Sequence, residues 1–312
     1  MYPMAQQRGF SLVELMVAST IGLALLTAVV SLFISSKVAH SDTERRGFLY
    51  DNGRYAMAAL GDELRLADFW GAARPADIVN HAQLEAITTD CSGNGAGYGY
   101  GASLWGSTAA SATVATCITN AQTNSDVLFI KHVAAAPTAA ASISATRTYL
   151  AANATKAILF DGADTAPTTV TGGDVPSGQF WEYVATAYYV STENASLPTL
   201  VRRRLVGSSW GAAEEVAAGV ERVRLLFGVD SSGDGVADSY VNAASADWDS
   251  VVAVKIYLLL RSADADPTFT DTKTYQLGDI TVDPNPDDGY RRTVFDTTVS
   301  LRNRRLLLAG RF

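Results

Sequence analysis

The sequence predicts an α+β fold: a long N-terminal helix, half membrane-spanning and half amphipathic, packed on an antiparallel β-sheet. Three observations carry this. Residues 10–34 read F-S-L-V-E-L-M-V-A-S-T-I-G-L-A-L-L-T-A-V-V-S-L-F-I, twenty-five residues with one ionisable side chain, Glu14. From Lys37 to Asp68 the chain turns polar, yet Leu49, Tyr55, Leu60 and Leu64 recur at loosely helical spacing. From Trp181 onward apolar and polar residues alternate in short runs, the pattern of half-buried strands. With 312 residues, 48% apolar and 18% charged, the chain has material for one large or two small domains.

As a helix the apolar run would be about 37 Å long at ~1.5 Å per residue, longer than the roughly 30 Å hydrocarbon core of a bilayer. It exceeds the ~7–15-residue apolar core of a secretory signal, and no small-residue cleavage site follows it. Arg8 is the one basic side chain ahead of the run, which keeps the amino end inside and sends the bulk across. Glu14 does not suit a plain anchor. A carboxylate at the bilayer centre costs about 2.5–3.5 kcal/mol, less near the edge, and calls for a partner. A cut between Gly9 and Phe10 supplies one, because the new amino group of Phe10 is a cation at the head of the run. Glu14 lies one turn on, at i+4, facing the same side. In an assembly of such helices Glu14 of one chain pairs with the Phe10 amine of its neighbour. Low dielectric makes that pair strong and register-specific, since a mismatched register buries a charge alone.

The helix is expected to continue as an amphipathic half over residues 37–71. The two halves read as one long helix in which Gly47, Gly53 and Gly61 are weak points where it could break, each costing up to about 1 kcal/mol relative to alanine, and Trp70-Gly71 should close it. Residues 72–180 read as a variable, loop-rich region whose one strong strand candidate is 127–131. Within it Gly93, Gly95, Gly97, Gly99 and Gly101, interleaved with Tyr98 and Tyr100, read as a flexible exposed loop. That loop fits neither G-x-G-x-x-G nor a P-loop. Cys91 and Cys117 flank it and, in an exported domain, are expected to be bridged, worth roughly 3 kcal/mol through chain entropy. Residues 181–312 form the β-rich globular part, with candidate strands at 182–191, 200–206, 220–229, 251–260, 274–280 and 291–301. In the fourth, Val252, Val254, Ile256, Leu258 and Leu260 face one way and Ala253, Tyr257 and Leu259 the other, so that strand should be central.

Residues 8–14, R-G-F-S-L-V-E, resemble the class III leader of type IV pilins and type II secretion pseudopilins. The resemblance implies that residues 1–9 are a leader and residues 10–36 the membrane and assembly helix. A prepilin peptidase would cut after Gly9 and N-methylate Phe10, leaving Glu14 as the acidic residue five positions into the mature chain. Residues 51–71, the block 219–262 and the ending 290–303, Y-R-R-T-V-F-D-T-T-V-S-L-R-N, are similar to minor pilins of the PilW type. Between residues 90 and 176 the resemblance is weak. It implies a pilin-like fold and a non-enzymatic minor pilin that primes type IV pilus assembly and sits at or near the fibre tip. The implied partners are other minor pilins, the major pilin, a tip adhesin, and inner-membrane lipid before assembly. The implied location is the inner membrane, with the C-terminal domain in the periplasm, and then the fibre at the cell surface. A minor pseudopilin of a type II secretion system shares these features. A membrane-tethered adhesin using the Gly/Tyr and Ala/Ser/Thr-rich middle is a third reading.

Other constellations weigh less. The net charge of −8, from 24 basic and 32 acidic residues, argues against a nucleic-acid partner. Two cysteines and three scattered histidines, His40, His81 and His132, leave little for a zinc site or an enzyme. The segment 207–211, G-S-S-W-G, matches G-x-S-x-G, but no histidine follows His132, so the hydrolase order fails. Arg202, Arg203 and Arg204 read as one strand with alternating exposure. The segment 230–238, D-S-S-G-D-G-V-A-D, resembles a short calcium loop, with ligands from Asp230, Ser232, Asp234, the Val236 carbonyl and Asp238, and Gly235 at the sharp turn. Val241 stands where an EF-hand has its bidentate glutamate, and the alternative is a polar hairpin loop. Residues 289–312 hold six arginines and one aspartate. They read either as a solvated tail or as a contact with an acidic partner subunit or the chain's own acidic loops.

Overall fold

A computed structural model describes residues 9, 11–284 and 286–308. The leader residues 1–8 and Phe10 lie outside the described residues. The chain divides into two compact units, Met1–Gly47 and Phe48–Phe312.

The first unit is helical and holds the beginning of α1 (Leu12–Leu66). A capping box starts the helix: Ser11 Oγ accepts from the Val13 N–H at 3.2 Å, and Glu14 Oε2 accepts from the Ser11 N–H at 3.1 Å. The hydroxyls of Thr27, Ser35 and Thr43 donate to carbonyls one turn back at 2.8–2.9 Å, so these polar groups need no water. The large apolar side chains, Leu12, Leu15, Leu23, Leu32 and Phe33 among them, stand exposed.

In the second unit α1 buries Leu49, Gly53, Ala56, Leu60, Gly61, Glu63 and Leu64, a stripe at helical spacing. The helix does not break at Gly47, Gly53 or Gly61. Gly53 lies on the buried stripe, where a Cβ would run into the Phe295 ring, so it serves close packing and not a kink. The helix ends where Asp68 and Gly71 take left-handed backbone, φ 62° and 65°, with Trp70 buried between them.

Among the described residues the strands form three sheets. The first takes β1 (Ile78–Asn80), β2 (Leu104–Thr108), β3 (Asp126–Val133), β4 (Thr148–Ala152), β5 (Ala157–Asp161), β6 (Gln179–Ser191), β7 (Thr199–Val206), β8 (Ser209–Trp210) and β9 (Glu214–Ala218). Its order is β1-β5-β4-β6-β3-β2, with β7 on β6, and β8 and β9 on β7. The long β6 is the spine: residues 179–182 pair with β4, 183–188 with β3 and 186–191 with β7. Only β1 and β5 run parallel. The chain then leaves this sheet at Gly219, φ 78°, where a Cβ would meet the Arg261 carbonyl oxygen at 2.6 Å.

The second sheet follows with β10 (Val220–Val229), β11 (Ser239–Val241) and β12 (Val251–Arg261). A separate hairpin, β13 (Tyr275–Leu277) with β14 (Ile280–Val282), precedes β15 (Arg292–Ser300) and the short α2 (Arg302–Leu308). The order β11-β10-β12-β15 puts β12 inside, as its apolar faces require. One core joins the buried stripe of α1 to β10, β12 and one face of the first sheet, through Leu60, Leu64, Leu128, Ile130, Val223, Leu225, Ile256 and Leu258. A second core covers the opposite face of the first sheet, around Trp70, Phe129, Trp181, Tyr183 and Trp210.

The segment 72–180 is rich in connecting loops, but β1 to β5 also lie within it and supply five of the nine strands of the larger sheet. The candidate 127–131 is the middle of β3, whereas β4 escaped notice because both its faces are buried, so its run shows no alternation. One expectation is corrected. The expected strand 274–280 is instead the two short arms of a hairpin turning at Gly278, φ 61°.

Candidate functional site

The site with a chemical signature is the head of α1. Glu14 stands exposed one turn past Gly9, on a helix long and apolar enough to cross a membrane. Among the described residues its carboxylate accepts from the Ser11 N–H at 3.1 Å, a local bond that leaves the second carboxylate oxygen to another donor. Phe10, the expected new terminus, lies outside the described residues. Ser11 was legible as the S of an S-x-x-E capping box, a signal the sequence reading passed over.

The glycine–tyrosine segment is not a free loop. Cys91 and Cys117 form a disulfide with Cα atoms 4.6 Å apart. Gly95 and Gly97 are buried. Asp90 Oδ1 accepts from the Cys91 N–H, the Gly97 N–H and Trp210 Nε1, all within 2.7–2.9 Å. Tyr183 Oη donates to the Gly97 carbonyl at 2.6 Å. Lys131 of β3 points into the same loop, and burial pushes its amine down to about 7. On the opposite face of β3, His132 lies 3.4 Å from Glu63 Oε1 of α1, which also accepts from the Thr186 hydroxyl at 2.7 Å. Burial raises the Glu63 carboxyl, but the bonds from His132 and Thr186 and the charge of Arg204 outweigh it and hold the group below its usual value. Neither Lys131 nor Glu63 was singled out from sequence. A lysine in V-L-F-I-K looks like a strand end until the loop that covers it is seen.

The segment 230–238 forms a self-satisfied turn. Asp230 accepts from the Gly233 and Gly235 N–H groups, each at 2.7 Å. Asp238 accepts from Ser231 and Ser232 N–H at 2.8 and 2.9 Å, and Asp234 from Val236 N–H at 2.7 Å. These bonds hold the Asp230 and Asp238 carboxyls below the usual carboxylate range. Among the described residues no group of three or more His, Cys, Asp or Glu side chains is placed to hold a metal ion. Asp230, Ser232, Asp234, Val236 and Asp238 are thus brought together in one polar turn whose carboxylates accept from the loop's own N–H groups. The G-S-S-W-G segment is the hairpin turn between β7 and β8, not a strand-to-helix elbow.

Of the C-terminal arginines, Arg291, Arg292 and Arg304 turn to the chain's own acids. Arg292, with its side chain 1% exposed, meets Glu221 at 2.7 Å, Asp271 at 3.5 Å and Asp288. Arg304 meets Asp68 at 2.8 Å. Arg202 pairs with Glu214 at 2.9 Å, while Arg203 reaches the carbonyls of Gly211, Trp210 and Cys117.

Two family models fit this arrangement. Residues 4–30 match the prokaryotic N-terminal methylation motif, and residues 187–303 match the Type IV Pilus-assembly protein W family. Over residues 187–303 the chain is thus similar to PilW-type pilus-assembly proteins, and at its head it carries the prepilin methylation motif. The second match takes in the last five residues of β6, all of β7 to β15 and the first residues of α2. A solved structure of a type IV-like pilin from Thermus thermophilus is similar at 14% identity, covering 82% of this chain and 96% of that one, with a TM-score of 0.37. No curated protein matches the chain. The methylation motif and the apolar helix together mark a single-pass inner-membrane anchor and a pilus-associated protein that meets a prepilin peptidase and other pilus components. The family is one of structural pilins, and its role lies in pilus biogenesis.

Proposed function

We propose that this chain primes type IV pilus assembly from the inner membrane and travels at or near the tip of the fibre. Prepilin peptidase cuts between Gly9 and Phe10 and methylates the new Phe10 amine, while the globular part stands in the periplasm. The observation that carries this is the exposed Glu14 at the head of an unpartnered apolar helix. Lipid solvates the apolar side chains but not the carboxylate, so the helix rests in the bilayer with one unsatisfied charge near its edge. Packing among sibling helices, with Glu14 of one chain against the Phe10 amine of the next, satisfies that charge and fixes the axial register. Companion minor pilins, the major pilin and a tip adhesin are the partners this role requires.

Gly9→Val is expected to leave the protein membrane-bound with its leader, read as an intact N-terminus by mass spectrometry. Maturation at the same site would refute the processing step. Glu14→Ala is expected to be cleaved normally and yet fail to support surface fibres; normal piliation with normal incorporation would refute the pairing. Deleting the chain should abolish fibres and twitching. Loss of exoprotein secretion with fibres intact would move the assignment to a type II secretion pseudopilin.

A further inference from the structure

The strand β3 presents Lys131 to the loop that closes between Cys91 and Cys117. Lys131 is 0% exposed. Its Nζ donates to the backbone carbonyls of Asn94 at 2.8 Å, Gly99 at 2.9 Å and Ala102 at 3.1 Å. An ammonium has three N–H donors, and these three carbonyls use all of them. Among the described residues Lys131 makes no ion pair. Asp90, which acts on it through space, spends its carboxylate on the Cys91, Gly97 and Trp210 N–H groups. The loop therefore wraps the cation with main-chain dipoles alone. Gly99 allows the approach, since a Cβ there would stand 3.0 Å from Nζ. The Gly99 carbonyl also accepts from the Ala102 N–H at 3.0 Å, but without a cation between them the three inward-pointing carbonyls would repel one another and those of Asn94 and Ala102 would lose this donor.

We propose that the 91–117 loop is built around an internal monovalent-cation site whose resident ion is the tethered ammonium of Lys131, which holds the loop as a fixed surface. The disulfide closes the loop's ends but fixes no carbonyl between them. The ammonium sets the conformation of residues 94–102. Burying a charge for this purpose adds little net stability, because desolvation offsets the ion–dipole attraction. The lowered amine titration, with burial as its first cause, is in keeping with that cost. The lysine thus specifies one loop conformation without having to stabilise the whole fold. This stands independently of the assembly role, since its readout is loop order and not fibre formation.

The experiment is amide hydrogen exchange on the full mature chain in detergent micelles, with the disulfide oxidised throughout. Lys131→Met should speed exchange at residues 94–102 at least tenfold while the amides of the central strand β12 keep their rates. In Lys131→Ala, n-propylammonium chloride should restore the loop's protection, and sodium chloride at the same ionic strength should not. Gly99→Ala, which crowds the ammonium from the carbonyl side, should raise exchange over the same residues with Lys131 intact. Unchanged loop protection in Lys131→Met would overturn the proposal. So would equal loss of loop and β12 protection, or failure of propylammonium to restore order.

Discussion

Adjacent residues on β3 point to opposite faces, and each fastens a covering layer through a charge. Lys131 faces the 91–117 loop and His132 faces Glu63 on α1. The two faces titrate in opposite windows. Glu63 is held below its ordinary value, so the folded state binds its proton less readily than the unfolded chain. Its stabilisation is present above about pH 4.3 and is lost as pH falls through the folded value. Glu63→Gln is expected to cost about 2 kcal/mol at neutral pH, from weakened bonds to His132 and Thr186. The difference from wild type should shrink as pH falls from 5 towards 2, measured by denaturant unfolding at each pH. The amine of Lys131, at about 7 in the fold against about 10.4 in an unfolded chain, is depressed as well, and its window lies on the alkaline side. Between those values the unfolded state holds the extra proton, so stability rises with pH across that window, and Lys131→Met should flatten the rise.

At the scale of elements, α1 and β15 meet through a missing side chain. Gly53 lies against the Phe295 ring, and Tyr50 packs edge-on to the same ring at 5.7 Å between centroids. Helix propensity alone would make Gly53→Ala stabilising by about 1 kcal/mol. The crowding reverses the sign: the ring must shift, and overpacking of this kind typically costs about 1–3 kcal/mol. Calorimetry should show a lower melting temperature for Gly53→Ala, whereas Gly47→Ala, which meets open space, should not fall. The same glycines explain what the sequence could and could not tell. The helix, the membrane-length run and strands such as β10 and β12 were legible because each obeys its own local period. The glycines in α1 were read as weak points because propensity carries no information about what lies opposite. β4 was hidden for a related reason: a strand buried on both faces has no alternation, and only the covering layers reveal it. The Glu14 signal was legible because a lone acid in an apolar run needs no tertiary context. The Lys131 cage was not, because its acceptors are backbone carbonyls, which have no residue signature.

For the whole molecule, the proposed assembly role would put folding and assembly on different charges. Arg292 ties β15 to Glu221 at the start of β10 and to Asp271 and Asp288, acids of the excursion between β12 and β15. Its side chain and that of Asp271 are each 1% exposed, so removing the guanidinium leaves a buried carboxylate without its counter-charge. Arg292→Met is expected to cost about 3 kcal/mol or more for that reason. Glu14 belongs to the other unit and is exposed, bonded among the described residues to its own helix cap, so Glu14→Ala should move the denaturation midpoint of the globular part by no more than about 0.5 kcal/mol equivalent. The two variants should then separate cleanly. Arg292→Met lowers the amount of folded protein in the membrane, and whatever remains folded is incorporated into fibres in proportion. Glu14→Ala leaves the membrane pool at wild-type level and the fibre fraction empty. Quantifying both pools by immunoblot, with the unfolding midpoint of each variant alongside, tests the division. A shifted midpoint for Glu14→Ala would mean that its carboxylate serves the fold, and the case for an assembly charge would fail.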